Sequence, residues 1–259
     1  MKLHVEEVGA GPPLVMLHGW AMHGGIFRPL SQRLQQRFRL HIVDLPGHGH
    51  SRAVKFGLDR SALVDSLVEQ LPSAPWLGWS LGGLLAIEAA IRRPAHLNGL
   101  IVLCGSPCFV HREGWTHAVE AEVFRQFGRD LGADYPATID RFLALEAHGS
   151  DHMRADLREL RAHVFERGEP DPEVLGSGLA LLEHADCRAE LAGLGMPSLW
   201  IAGRRDRLVP WQGMQQAAEL AGGEFQRVEQ GGHAPFLSHA DQLAAMISAF
   251  LQPGSGAGR

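Results

Sequence analysis

Short apolar runs alternate along this chain with longer stretches whose apolar positions recur every three or four residues. "PPLVMLHG" (12–19) is entered through prolines and stopped by glycine, as a buried strand would be. "RLHIVDLPGHGHS" (39–51) repeats the arrangement, with a strand through Val43 followed by a proline-glycine turn. "APWLGWS" (74–80), "LNGLIVLCGS" (97–106) and "PSLWIAGRRD" (197–206) supply three more. "EFQRVEQGGH" (224–233) is less continuously apolar and is expected nearer the sheet edge. Helical patterns lie between them at 26–37, 60–71, 82–93, 212–221 and 240–251. Strands alternating with helices require crossovers, so the pattern predicts an α/β fold: a mostly parallel sheet with helices on both faces.

One segment breaks the alternation. From about His111 to Asp186 the chain reads as successive helices with no strand, at 113–132, 135–149, 151–168 and 172–185. This predicts an inserted helical cap at 111–186 over a core built from 1–110 and 187–252. The tail 253–259, "PGSGAGR", lacks bulky apolar groups and is expected to fray.

A length of 259 residues, 45% hydrophobic and 20% charged, suits one large domain with an insertion. The formal net charge of -5 argues against a general nucleic-acid binder, although a local basic face could still meet an acidic partner. Cys104, Cys108 and Cys187 cannot all pair within the chain and show no paired metal-ligand spacing, so a reducing cytoplasm is the simplest location. No signal-like start occurs, and no apolar run approaches the about twenty residues of a membrane span. Neither secretion nor a membrane is expected, and a monomer is.

The chemistry centres on Gly78-Trp79-Ser80-Leu81-Gly82. A G-x-S-x-G run between a strand and a helix matches a nucleophile elbow, in which the glycines permit a sharp reversal and the serine takes a strained conformation. A serine hydroxyl is a weak nucleophile and needs a base held by a third group. In strand-turn-helix sites of this kind the chain order is serine, acid, histidine; Asp206 follows the fifth predicted strand and His233 the sixth. Ser80, Asp206 and His233 are therefore the expected triad. The turn His18-Gly19-Trp20 can aim the Trp20 amide at the oxygen that receives the Leu81 amide, completing an oxyanion hole. His239 is the competing base, and Asp186 or Asp241 the competing acids. His18, His48 and His50 fall in loops at the same edge, where histidines often only bind backbone. No H-E-x-x-H, phosphate-binding loop or dinucleotide fingerprint occurs, so neither metal nor cofactor is expected.

With these motifs the chain resembles an α/β-hydrolase, and more closely the carboxylesterases of biotin synthesis that remove the methyl group from pimeloyl-[acyl-carrier protein] methyl ester. The resemblance runs over almost the whole chain and is carried by "LHGWAMHGGIFRPL", "WLGWSLGGLLA", "GSPCFVHREGW", "RFLALEAHGS" and "HAPFLSH". It implies a Ser80, His233, Asp206 acyl-enzyme mechanism, with substrate contacts from Trp20, Ser80, Leu81 and His233. It also implies an acyl pocket lined by Phe142, Leu143, Ala144, Leu145 and Glu146, and an acidic carrier protein docked through Arg141, Arg154 and Arg158. Two positions depart from the family pattern: Ala137 replaces an arginine, and Glu146 replaces an amide and puts a possible charge beside the pocket. On the residues alone, Arg154, Arg158 and Arg161 share one helical face, a stripe that surface helices often carry for solvation alone and that is compatible with docking. A broader esterase on short free acyl esters, a C-C bond hydrolase of the same fold, a haloperoxidase-like side activity and a non-catalytic ligand-binding protein remain the alternatives.

Overall fold

The computed structural model describes residues 2–55 and 59–252, so the tail expected at 253–259 lies outside the described residues. One sheet contains β1 (Val5–Val8), β2 (Pro13–Leu17), β3 (Arg39–Val43), β4 (Ala74–Trp79), β5 (Leu97–Leu103), β6 (Ser198–Gly203) and β7 (Glu224–Val228), in the order β1-β3-β2-β4-β5-β6-β7. All neighbours are parallel except β1 with β3. Six strands fall on the predicted runs, with β7 at the edge as its mixed polarity requires. β1 is not announced by the sequence pattern, because the adjacent Glu6 and Glu7 interrupt its alternation. Its position comes instead from antiparallel pairing, with Val5 opposite Val43 and Val8 opposite Leu40.

Among the described residues ten α-helices accompany the sheet: α1 (Arg28–Leu34), α2 (Arg60–Gln70), α3 (Leu81–Arg92), α4 (Ala121–Ala133), α5 (Tyr135–Ala147), α6 (Met153–Val164), α7 (Pro172–His184), α8 (Trp211–Leu220), the single turn α9 (Pro235–Ser238) and α10 (Ala240–Phe250). α3 is buried from Leu81 through Ala90, which explains why its sequence has no polar stripe. Only its Glu88 carries charge into this layer, and Arg60 of α2 meets it at 3.2 Å.

The four consecutive helices α4 to α7 lie between β5 and β6, where the sequence lost its strand pattern. Asp134 and Asp171 start α5 and α7 by accepting hydrogen bonds from Ala137 and from Glu173 and Val174, and a proline in each first turn reinforces the start. α4 begins at Ala121, later than the helix expected from 113. The residues before it form isolated bridges, Val110 with Val119 and Arg112 with Trp115, while the buried Trp115 donates to the Cys108 carbonyl at 2.7 Å. Tertiary burial of one tryptophan overrides the helical pattern there.

A polar cluster ties the α6–α7 connection to the sheet. Arg167 contacts both oxygens of the fully buried Asp44 carboxylate at 3.1 and 3.2 Å and reaches Glu6 on β1 at 2.6 Å. Asp44 also accepts from the Gly24 and His50 amides at 2.7 and 2.8 Å. Burial alone would push its carboxyl up, but His18, these two amides and Arg167 together hold it below the usual value.

Candidate active site

The strand order reverses at β2, whose neighbours are β3 on one side and β4 on the other. Open α/β sheets form a crevice at the carboxyl ends of strands where such a reversal occurs. β2 runs directly into Trp20 and β4 into Ser80, so both expected elements of the site arrive at this crevice.

Ser80 joins β4 to α3 with φ of 55° and ψ of -117°, a left-handed conformation that a non-glycine residue adopts only under strain. The flanking glycines have steric reasons. A Cβ on Gly78 would lie 2.1 Å from the Gly82 carbonyl oxygen, and one on Gly82 would lie 2.3 Å from the Leu17 oxygen. The turn closes only because both lack side chains.

The Ser80 hydroxyl lies 2.9 Å from His233 Nε2, and His233 Nδ1 lies 2.7 Å from Asp206 Oδ2. A carboxylate oxygen can only accept, so Nδ1 carries the proton and the Nε2 lone pair faces the serine. The second Asp206 oxygen accepts from the Leu208 and Val209 amides at 2.8 and 2.9 Å, which fixes the carboxylate after β6. Trp79 secures the histidine: its indole N–H donates to the His233 carbonyl at 2.8 Å, and its ring packs edge-on against Phe236. This support escaped the sequence reading, although a tryptophan directly before the serine was its signal. Ser80 and His233 have no exposed surface.

Among the competitors, His239 links α9 to α10, Asp241 pairs with Arg33 at 2.6 Å, and Asp186 pairs with Arg188 at 2.7 Å. His18 donates to the Gly19 carbonyl and accepts from the Leu45 amide, while His48 donates to the Pro46 carbonyl. Burial lowers both: His18, with His48 as a second cause, falls to about 3, and His48, through burial first, to about 4. They act as backbone ties. His50 is exposed, its amide bound to Asp44.

Neither the Trp20 nor the Leu81 amide donates to an acceptor among the described residues, as an oxyanion hole requires. The Trp20 indole donates to the Leu175 carbonyl of α7 at 2.8 Å, and its ring centre lies 4.4 Å from that of Phe142 on α5. Trp20 therefore joins the sheet crevice to the inserted helices.

Helical periodicity divides the expected pocket stretch. Phe142, Leu143 and Glu146 are buried and Leu145 is half-buried, but Ala144 points to the exposed side of α5. Five consecutive helical residues cannot line one wall. Glu146 is 1% exposed, and neither of its carboxyl oxygens has a hydrogen-bond partner among the described residues. Burial first, and the neighbouring Asp206 second, raise its pKa well above the usual value, so the charge expected beside the pocket is held neutral.

Of the expected docking residues, Arg154 and Arg158 are exposed on α6 and make no ion pair among the described residues. Arg141 is tied to Asp130 at 2.7 Å and to the Thr138 hydroxyl at 3.2 Å. Arg161, on the same helix as Arg154, is held by both oxygens of Asp140. Two groups bring potential metal-ligand atoms together, His4 with Asp44 and His50, and His23 with His163 and Glu166. Their carboxylates already face arginines, Asp44 facing Arg167 and Glu166 facing Arg28.

Residues 12–240 match the family model described as the alpha/beta hydrolase fold. The chain is 51% identical to the pimeloyl-[acyl-carrier protein] methyl ester esterase of Stenotrophomonas maltophilia strain R551-3, covering 98% of this chain and 99% of that one. It is 50% identical to the protein of the same name from Xanthomonas campestris pv. campestris strain B100, covering 96% and 98%. In structure it is similar to an esterase from Exiguobacterium antarcticum (TM-score 0.86, 22% identity, covering 96% and 94%). It is equally similar to a bromoperoxidase from Bacillus anthracis (TM-score 0.86, 19% identity, covering 97% and 95%), so these two likenesses speak for the fold alone.

Proposed function

Because the chain belongs to the α/β-hydrolase fold family and, within it, to the pimeloyl-[acyl-carrier protein] methyl ester esterases, we propose that it hydrolyses the methyl ester of a carrier-bound pimeloyl chain in biotin synthesis. The observation that carries the chemistry is the continuous relay from Asp206 through His233 to Ser80, with separations of 2.7 and 2.9 Å.

Ser80 Oγ attacks the ester carbonyl while His233 Nε2 accepts its proton, and Asp206 stabilises the imidazolium that results. The carbonyl oxygen, now negative, is received by the Trp20 amide after β2 and by the Leu81 amide at the start of α3, where the helix dipole adds to the effect. His233 then returns the proton to the departing methoxide, giving methanol and an acyl-serine. Water enters, His233 takes one of its protons, and the hydroxide oxygen attacks the acyl carbon. Collapse of the second intermediate releases the free acid and restores the Ser80 hydroxyl.

The segment 111–186, with its four helices α4 to α7, acts as the cap that selects the acyl chain. Phe142, Leu143 and Glu146 face inward from α5, with Leu145 at their margin. Since Ser80 and His233 are fully buried, the ester reaches them only when the covering elements shift. Trp20, bound to both α7 and α5, marks where that shift is resisted. The exposed Arg154 and Arg158, with Arg141 beside them in the family pattern, offer positive charge to an acidic carrier.

The test is hydrolysis of pimeloyl-carrier methyl ester, with mass detection of the free acid and comparison among acyl lengths. Turnover is expected, together with its complete loss in Ser80→Ala at unchanged thermal stability. Retained turnover in that variant refutes the nucleophile.

A further inference from the structure

Beside the triad, on the side away from the Asp44 cluster, a groove of about 610 Å³ opens between the β6–α8 connection, the segment before α4 and the end of α5. Its lining includes Arg204, Arg205, Arg207, His117, Trp211 and Gln212. Arg205 and Arg207 flank Asp206 in sequence, but their side chains make no hydrogen bond or ion pair among the described residues. Arg204 is half-neutralised by Glu229 at 3.4 Å. Among the described residues Asp206 is the only acidic one lining the groove, and both of its oxygens are spent on His233 and the Leu208 and Val209 amides.

The groove borders the connection that leads into α6. Gly149, with φ of 91°, presses against the Arg205 carbonyl so closely that a Cβ there would lie 2.2 Å from that oxygen. Two residues on, the Asp151 amide donates to the Gln230 carbonyl at 3.4 Å, and α6 with Arg154 begins immediately afterwards. Unpaired arginines thus occur on both sides of the seam between the inserted helices and the sheet. On a chain whose net charge is -5, unpaired positive charge gathered at the rim of the site is a signature of an acidic partner.

We propose that the carrier's docking surface extends across this seam, with Arg205 and Arg207 of the sheet domain binding carboxylates of the acidic carrier protein alongside Arg154 and Arg158. This rests on the function proposed above and adds core residues to a surface otherwise placed on the cap. A carrier seated there touches both parts at once, so docking and the position of the cap are coupled. Specificity for carrier-bound over free esters then comes from a surface that is complete only when cap and core are in register.

The experiment compares the parent enzyme with Arg205→Glu/Arg207→Glu and Arg205→Gln/Arg207→Gln on three substrates: pimeloyl-carrier methyl ester, pimeloyl-phosphopantetheine methyl ester without the protein, and dimethyl pimelate. The reversal variant is expected to lose about tenfold or more in kcat/KM on the carrier-bound ester, and the neutral variant less, with both losses shrinking at raised ionic strength. Both small substrates should change by less than about twofold, as expected for residues outside the triad. An unchanged rate on the carrier-bound ester overturns the proposal, as does an equal loss on dimethyl pimelate. An equal loss on the phosphopantetheine ester overturns it in a different way, since the groove would then read the arm's phosphate. If the parent hydrolyses dimethyl pimelate but not the carrier-bound ester, the functional reading itself fails and this inference falls with it.

Discussion

Glu146→Gln isolates the most anomalous group in the molecule. The parent carboxyl is buried without a hydrogen-bond partner, and burial with the nearby Asp206 raises its pKa well above the ordinary 4.5. In the unfolded chain the same group ionises near its ordinary value. The sign follows from proton linkage: above that value the unfolded state has released a proton that the folded state still holds. Stability associated with Glu146 is therefore fully present at low pH and is lost as pH rises towards the folded pKa. While the folded carboxyl stays protonated, each pH unit costs about 1.4 kcal/mol, or about 3 kcal/mol from pH 5 to pH 7. The glutamine variant has no such term. Its stability advantage over the parent should widen as pH rises across that interval, by at most about 1.4 kcal/mol per pH unit. Urea unfolding followed by fluorescence of the six tryptophans, at pH 5, 6 and 7, measures it. The difference between the two proteins is the informative quantity. His18 and His48, with pKa values near 3 and 4 in the fold, remove stability from both equally as pH falls below the ordinary histidine value of 6.5. A gap that stays constant within about 0.5 kcal/mol over those two units would refute the reasoning, because it would mean that Glu146 is ionised in the folded protein.

Two further substitutions probe the supports of the site. Trp79→Phe keeps an aromatic ring but deletes the 2.8 Å hydrogen bond to the His233 carbonyl, so kcat on any hydrolysed ester should fall about ten- to a hundredfold with KM little changed; an intact kcat would remove Trp79 from histidine positioning. Arg167→Met leaves the buried Asp44 without its cation and should cost about 3–5 kcal/mol in urea unfolding. A loss below about 1 kcal/mol would show that the amides of Gly24 and His50 satisfy Asp44 by themselves.

The mostly parallel sheet, its edge strand β7, the four consecutive helices between β5 and β6, and the meeting of Ser80, His233 and Asp206 side chains at one sheet edge were legible from residue order. The reason is local: a buried parallel strand must be apolar throughout, a strand-to-helix reversal must discard Cβ atoms, and a serine nucleophile needs its base and acid at the same sheet edge. What escaped depends on partners far away in the chain. β1 exists because β3 offers an unpaired edge, and the segment before α4 leaves its helical pattern because Trp115 finds the Cys108 carbonyl. Ala144 parts company with Phe142 and Glu146 because a helix turns by 3.6 residues, whereas a motif is written as a line.

Charge shows the division most sharply. The sequence could place a carboxyl at Glu146, arginines at 205 and 207 and an aspartate at 44, and nothing in their order says which would be ionised, paired or free. Folding neutralises the first by dehydration, leaves the arginines beside the triad unopposed and surrounds Asp44 with donors from three separate segments. Residue order specifies which groups exist and which backbone they ride on; their electrostatic state is a property of the distances between them, and those distances exist only once the chain has packed.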